Sequence, residues 1–208
     1  MARETVGGCA VSKPSVTESA DTRAVFAQQE ELAKVGDLQK GCVVFSAVWL
    51  DRIRNYSGEP GSRINHLSRI EVLENVDNLQ RCYQRREEQN RKSAFDDLFQ
   101  PTFNHFGMNL TNRGFMDVIS SQDSALTNLA HHLSESGKSH VLVLIRMDGD
   151  HHAIATHQEA GRLHIFDPNS GESVMSARDR EVKQALQDII QNYSYRVPLP
   201  EVHLLQAA

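Results

Sequence analysis

The spacing of apolar residues divides the chain into a helical first part and a strand-rich second part. Up to about residue 137, apolar side chains recur at three- and four-residue steps, the period of an amphipathic helix. Asp21 is the expected N-cap of the first helix, Pro101 is expected to end the fourth, and 107–114 to form a loop. Helices are predicted over 21–35, from Cys42 onward, over 64–83, around 94–101 and over 124–135.

Beyond Gly137 the pattern changes to that of strands. Residues 140–145 form an almost continuous apolar run, which is typical of a strand in the centre of a sheet. We expect the segment Asp167-Pro168-Asn169-Ser170-Gly171 to be a turn that ends the strands before it. Further strands are predicted over 151–157, 162–167 and 202–205, with one helix over 181–195. Helices followed by an antiparallel sheet with an inserted helix describe an α+β domain.

Composition narrows the functional classes. The chain has 208 residues, which suits one domain with a tail, and 22 Lys and Arg against 27 Asp and Glu give a net charge of −5. This charge and the lack of a basic cluster argue against a nucleic-acid partner. The three cysteines, Cys9, Cys42 and Cys82, are odd in number and far apart, which does not describe a disulfide framework, so we expect a reducing compartment. We also expect a monomer without a cofactor.

The first 20 residues are rich in Ser, Thr, Gly and other small residues, so we predict a disordered leader over 1–20 ahead of a domain over 21–208. This segment contains a candidate lipidation site. Gly8, with Ser12 four residues later and Cys9 beside it, matches the pattern for N-myristoylation and palmitoylation. Because myristoylation needs an amino-terminal glycine, Gly8 becomes a substrate only after cleavage of the Gly7–Gly8 bond. The segment has no apolar core of the kind that secretory signals carry.

Cys42 follows a glycine and opens the second predicted helix, whose buried face includes Val44, Ala47 and Val48. The first turn of a helix has unpaired amides and the positive end of the dipole, and both stabilise a thiolate. This position therefore suits a nucleophile. Packing in the core is the competing interpretation, because free cysteine is among the most buried residue types.

His151 and His152 are the candidate bases for Cys42, and Asp167 is the candidate to orient the base. A two-residue hairpin loop at Ala160-Gly161 places His152 and Asp167 on one face of the sheet as diagonal neighbours, with His151 on the other face. A three-residue loop reverses the choice between the two histidines.

A metal site is the alternative interpretation of the same histidines, since imidazole and carboxylate suit zinc. Strand alternation argues against it, because it distributes these residues over both faces of the sheet. The segment that begins at Asp167 also imitates a calcium loop, but Pro168 and Arg178 occupy positions that such a loop cannot tolerate. We therefore expect no metal. The residues of the alternative zinc site are Asp150, His151, His152, His157 and His164.

Together these motifs resemble the YopT/AvrPphB family of type III effector cysteine proteases, a papain-like group that bacteria inject into host cells. The resemblance covers roughly residues 41–171. It consists of Gly41-Cys42 with Trp49 seven residues on, His152-Ala153, and Phe166-Asp167-Pro168-Asn169 with a glycine after it. The resemblance implies a papain-like cysteine protease fold, with a helical N-terminal part packed on a C-terminal antiparallel sheet.

The resemblance also implies roles for the residues. Cys42 is the expected nucleophile, His152 the general base and then acid, and Asp167 the residue that holds the imidazole tautomer. Papain-like relatives commonly place Gln or Asn a few residues upstream of the cysteine as an oxyanion donor. Gln39 is our choice here, because the carboxylate of Asp37 is a poor donor.

Finally, the resemblance implies a partner and a location. We expect secretion by a type III system into a host cell and cleavage of a host protein, either a kinase-type target or a prenylated GTPase. Plant-directed relatives cut themselves to expose a Gly-Cys acylation site, which implies self-cleavage before Gly8 and attachment to the host plasma membrane. Glutamine deamidation or acyl transfer by the same three residues is the alternative, since both use the same thioester.

Overall fold

The structure, a computed structural model, describes residues 22–38, 40–56, 58–90, 93–117, 123–145, 150–194 and 201–208. Seven helices and seven strands in these ranges confirm the α+β class. The leader with Gly8 and Cys9 lies outside the described residues, as do Asp21 and Gln39. None of the helices described is both long and apolar enough to cross a bilayer.

The helices are α1 (Gln28–Leu32), α2 (Cys42–Asn55), α3 (Pro60–Leu67), α4 (Ile70–Gln89), α5 (Phe95–Asn104), α6 (Asp123–Ser134) and α7 (Asp179–Ser194). The strands are β1 (Thr22–Ala24), β2 (Leu110–Asp117), β3 (Ser139–Ile145), β4 (His151–Glu159), β5 (Arg162–Asp167), β6 (Gly171–Ser176) and β7 (Glu201–Ala207).

All seven strands form one antiparallel sheet in the order β1-β6-β5-β4-β3-β7-β2. Side chains alternate across it, so the two faces bury separate apolar cores. Val141, Val143 and Ala153 pack with α2 to α5 on one face. Leu142 and Ile154 pack with α6 and α7 on the other. The sheet is therefore covered by helices on both faces, with the larger helical layer from the N-terminal part of the chain.

Helix α2 lies at the centre of the larger layer, and the prediction that it starts at Cys42 is confirmed. Its first nine residues are all buried, because it lies between the sheet and the other helices of its layer. One turn after Cys42, the hydroxyl of Ser46 donates a buried hydrogen bond of 3.3 Å to the carbonyl oxygen of Ala153 on β4. This bond fixes the start of α2 against the start of β4.

The β4–β5 hairpin has the predicted two-residue loop. Glu159 pairs with Arg162, and the ladder runs from there to the Ala155–Phe166 pair. Ala160 and Gly161 have φ angles of 49° and 75°, and two positive values identify a type I′ turn.

Three details of the predicted element pattern are wrong. The 21–35 segment is not one helix, because residues 22–24 form a strand that pairs with β6 and the helix that follows, α1, is only five residues long. The predicted 64–83 helix is two helices, since the extended backbone of Arg69 separates α3 from α4. Pro101 lies inside α5 and does not end it.

Two strands were also missed. Part of the predicted loop over 107–114 belongs to β2, an edge strand with a bulge between Asn112 and Gly114. The turn after Asp167 does not end the sheet but leads into β6.

Candidate functional site

The three residues predicted to carry the chemistry meet where α2, β4 and β5 come together. Cys42 is the first residue of α2, His152 the second of β4 and Asp167 the last of β5. Cys42 comes from the larger helical layer, whereas His152 and Asp167 share the face of Ile154 and Leu163, which α6 and α7 cover. The site therefore lies at the end of the strands, where the two layers can reach each other.

His152 connects the other two residues. Its Nε2 lies 2.8 Å from Asp167 Oδ1, and Cys42 and Asp167 both raise the pKa of its ring. Because Nε2 is occupied by the carboxylate, Nδ1 is the nitrogen available to the sulfur. Burial lowers the pKa of His152, but the hydrogen bond to Asp167 and the interaction with Cys42 outweigh this effect and raise the pKa to about 9. The arrangement therefore favours a protonated imidazole between two anion-forming groups.

Asp167 is held as a carboxylate by four donors. Besides His152, the amide of Asn169 donates to Oδ1 at 2.9 Å and the hydroxyl of Ser170 to Oδ2 at 3.0 Å. The hydroxyl of Tyr193 lies 2.9 Å from both oxygens. Burial tends to raise the pKa of Asp167, but these donors and the charge of His152 keep it below its usual value.

Tyr193 also covers the imidazole. Its ring stacks on His152 with centroids 4.7 Å apart and an angle of 20° between the planes. The residue is near the C-terminal end of α7, on the helix face that buries Val182, Leu186 and Ile190. The tyrosine thus contacts both partners of the histidine–aspartate pair.

His151 points to the opposite face of the sheet, as the two-residue loop predicts. Its Nε2 accepts a hydrogen bond of 2.8 Å from Tyr83, and Nδ1 lies 3.4 Å from Glu87. Burial lowers the pKa of His151 to about 4, so the ring is neutral at pH 7. It has no contact with Asp167 that resembles that of His152.

A cleft of about 520 Å³ opens beside the sulfur. Cys42 is only 4% exposed, but it lines this cleft and is reached from it. The ion pair between Lys40 and Asp150, 2.6 Å long, lies on the cleft wall. The other lining residues are Asp37, Leu38, Gln80, Arg81, Tyr83, Gln84, Glu87, Glu88 and His151.

The remaining predictions for the site concern the oxyanion donor and the absence of a metal. Gln39, our choice as oxyanion donor, is outside the described residues. Asp37 lines the cleft, but its carboxylate accepts a hydrogen bond of 2.6 Å from Arg81. Within the described ranges, no three His, Cys, Asp or Glu side chains come together in a way that would hold a metal ion.

Two further residues, Tyr193 and Gln28, lie next to the site and were not predicted from the sequence. Tyr193 had a signal, because it continues the apolar spacing of Val182, Leu186 and Ile190 and so belongs to the buried face of α7. The sequence around Gln28 gives no sign that it is buried, because Gln28 lies in a polar run of Gln and Glu. It is nevertheless 4% exposed, and its Oε1 accepts a hydrogen bond of 2.8 Å from the amide of Gly41, next to Cys42.

Comparison with known proteins places the chain in a family. Residues 18–207 match the model of a peptidase family described as Yersinia/Haemophilus virulence surface antigen. The chain is similar to the crystal structure of the Pseudomonas avirulence protein AvrPphB, with a TM-score of 0.67 and 21% identity. That match covers 85% of this chain and 99% of AvrPphB.

A weaker similarity is to PatoxP, a cysteine protease-like domain of the Photorhabdus asymbiotica toxin PaTox. It has a TM-score of 0.43 and 14% identity, and covers 88% of this chain and 53% of that one. Among curated protein sequences, none matches the chain.

Proposed function

Because the chain belongs to the Yersinia/Haemophilus virulence surface antigen family of cysteine peptidases, we propose that it cleaves a host protein through Cys42, His152 and Asp167. Membership of the family makes the chain a bacterial effector cysteine peptidase. The three residues and their roles are our proposal. The observation that carries it is the 2.8 Å contact between His152 and Asp167 beside α2, where Cys42 raises the pKa of the same imidazole and lines an open cleft.

The proposed reaction has two halves. His152 Nδ1 takes the proton of Cys42, and the thiolate attacks the carbonyl carbon of the scissile peptide bond. The imidazolium then protonates the leaving amine, which leaves a thioester on Cys42. A water molecule, deprotonated by His152, hydrolyses the thioester and restores the thiol. Asp167 keeps Nε2 protonated throughout, so that Nδ1 faces the sulfur.

The first turn of α2 supplies the proposed oxyanion donor. The helical ladder starts with the bond from the amide of Phe45 to the carbonyl of Gly41, so the amide of Cys42 is not part of it. An amide in this position can donate to the oxygen of a tetrahedral intermediate. Gln39 is retained as the proposed side-chain donor.

The test is co-expression of the chain with candidate host kinases and prenylated GTPases, the target classes we propose. Wild type is compared with Cys42→Ala and Asp167→Ala. A new terminus in the target, seen by mass spectrometry with wild type and absent with both variants, supports the proposal. A target cleaved equally by Cys42→Ala contradicts it. A mass gain of about one dalton without a new terminus indicates deamidation through the same thioester instead.

We propose in addition that the chain cleaves itself before Gly8, and that Gly8 and Cys9 are then acylated at the host plasma membrane. One myristoyl chain binds membranes only weakly, and a second acyl group on Cys9 makes attachment stable. The test is the mass of the N-terminal peptide after expression in a host cell. An acylated peptide that begins at Gly8 supports the proposal, whereas intact Met1 in a preparation that cleaves a model substrate contradicts it.

A further inference from the structure

A series of hydrogen bonds runs from the amide next to the nucleophile to the carboxylate of the histidine–aspartate pair. The amide of Gly41 donates to Gln28 Oε1 at 2.8 Å, and Gln28 Nε2 donates to Asn169 Oδ1. Asn169 Nδ2 donates to the hydroxyl of Tyr193 at 3.0 Å, and that hydroxyl donates to Asp167 at 2.9 Å. The series thus starts beside Cys42 and returns through Asp167 to the imidazole of His152, the proposed base.

The two ends fix the direction of every bond between them. A backbone amide only donates and a carboxylate only accepts. Gln28 must therefore present its oxygen to Gly41 and its nitrogen to Asn169, and Asn169 must present its nitrogen to the tyrosine. Since the hydroxyl of Tyr193 accepts this bond, its own proton is directed to Asp167. Changing one amide reverses the donors and acceptors that follow it.

The series also joins parts of the fold that approach only at the site. Gln28 is on α1, Asn169 in the turn between β5 and β6, and Tyr193 on α7, which covers the opposite face of the sheet from α2. A further bond, from the backbone amide of Gln28 to the carbonyl of Pro168 at 2.8 Å, holds α1 to the same turn. None of Gln28, Asn169 and Tyr193 lines the cleft beside Cys42. From this position they can support the reacting groups but do not face a substrate bound in the cleft.

We propose that Gln28, Asn169 and Tyr193 are positioning residues, which hold Asp167 and His152 in register with Cys42 through one directed series of hydrogen bonds. This inference rests on the proposed function of the three reacting residues. Tyr193 acts in two ways, by donating to the carboxylate and by stacking on the imidazole. The side chain of Gln28 reaches the carboxylate through Asn169 and Tyr193.

The probe is iodoacetamide, because alkylation reports the thiolate of Cys42 and needs no substrate. The rate of alkylation at Cys42 is measured by mass spectrometry between pH 4 and 9 in the full chain, with the exposed Cys82 as internal reference. Tyr193→Phe keeps the stacked ring and removes the donor. Gln28→Glu keeps the acceptor for Gly41 and removes the donor to Asn169.

We expect each variant to slow alkylation at pH 7 about tenfold, since hydrogen bonds to charged groups are the strong ones. The midpoint of the alkylation curve should also move to higher pH, because a loosely held imidazolium stabilises the thiolate less. The double variant should be little slower than the slower single variant, because Gln28 acts through Tyr193. Tyr56→Phe is the matched control, since Tyr56 is exposed and the side-chain contact of its ring is with the guanidinium of Arg52.

The outcomes separate this inference from the proposed function. If wild-type Cys42 reacts no faster than Cys82 at pH 7, the proposed function fails. If wild-type Cys42 is selectively reactive but both variants match it, or if their effects multiply in the double variant, the positioning role fails. Circular dichroism shows whether each variant is folded, and if Tyr193→Phe is not, Gln28→Glu decides the question through the pH midpoint.

Discussion

Tyr83 and His151 are joined by a hydrogen bond of 2.8 Å between the phenol oxygen and Nε2. Burial first, and then the charge of Glu87, raise the pKa of Tyr83, so the phenol keeps its proton and donates it. The aromatic rings of Phe95 and Phe99 lie on the same imidazole. His151 is therefore a packed, neutral residue, although it is next to the proposed base in sequence and lines the same cleft.

The first prediction separates the two neighbouring histidines. His152→Ala should abolish alkylation of Cys42 at pH 7 and any proteolysis, while leaving the fold intact. His151→Ala should retain activity but lower the free energy of unfolding by about 2 kcal/mol, because it leaves Tyr83 without its partner and opens a gap among the rings. Urea unfolding and activity are measured on both variants. A His151→Ala protein that is inactive but stable would show that His151, and not His152, transfers the proton.

The register of one hairpin was enough to predict the histidine–aspartate contact from sequence. A two-residue loop at Ala160-Gly161 determines which residues share a face, and the pairing of Glu159 with Arg162 confirms it. Gln28 was beyond this kind of reasoning, because its partner Asn169 is 141 positions away and no spacing rule links them.

Two of the missed strands, β1 and β2, have a common physical reason. β1 and β2 are the two edges of the sheet, where a strand pairs on one side only and can expose a face to solvent. Asn112, Arg113 and Gly114 of β2 are all exposed, so the strand lacks the apolar run that identifies β3. β1 is three residues long and owes its conformation to β6. Both strands form because they pair with a neighbouring strand in the sheet, and the local sequence pattern does not encode that pairing.

The second prediction concerns Gly171, the glycine that follows the Phe166–Asn169 motif. Its φ of +103° is unfavourable for other residues, and a Cβ there would lie 2.0 Å from the carbonyl oxygen of Ala24 and 2.7 Å from the amide of Phe26. Both atoms are backbone and cannot move without displacing β1 and the segment that leads to Gln28. Gly171→Ala should therefore lower the free energy of unfolding by about 3 kcal/mol or more.

Gly61→Ala is the matched control for this change. Gly61 is in α3, and a Cβ there meets no other atom within 4 Å. Alanine should leave stability unchanged or increase it by up to about 1 kcal/mol, since it favours the helix. Thermal unfolding of the two variants is compared with wild type. Equal midpoints for Gly171→Ala and Gly61→Ala would show that the backbone contact at Gly171 does not constrain the fold.

The third prediction concerns a buried ion pair under α2. Arg63 donates to both carboxylate oxygens of Glu172, which also accepts a hydrogen bond of 2.8 Å from the indole of Trp49. The exposed fractions of Arg63 and Glu172 are 3% and 0%. Arg63→Gln removes the guanidinium from a buried carboxylate and should cost about 3–5 kcal/mol of unfolding free energy.

Arg178→Gln is the matched substitution at the surface. Arg178 is 78% exposed and its nitrogen lies 3.7 Å from Glu181, so its loss should change stability by less than about 1 kcal/mol. The midpoints of urea unfolding give both values. Similar losses for the two variants would mean that burial adds nothing to the ion pair of Arg63.

The last prediction is a loss of stability in acid that depends on buried neutral histidines. His140 is 2% exposed, lies between Thr156 and Gln206 in the sheet, and its Nδ1 makes no hydrogen bond in the described part of the chain. Burial lowers the pKa of His140 from 6.5 to about 4, against the opposing charge of Glu135. Burial also lowers the pKa of His151 to about 4.

Because both folded pKa values lie below the unfolded value of 6.5, the unfolded chain binds more protons between pH 4 and pH 6.5. The contribution of each histidine is complete above pH 6.5 and is lost as the pH falls towards 4. His140→Leu should therefore reduce the loss of unfolding free energy between pH 7 and pH 5 by about 2 kcal/mol. Urea unfolding of wild type and variant at the two pH values measures this difference directly, and each protein at pH 7 serves as its own reference. If wild type and variant lose the same unfolding free energy between pH 7 and pH 5, His140 takes up a proton in the folded state as readily as in the unfolded chain.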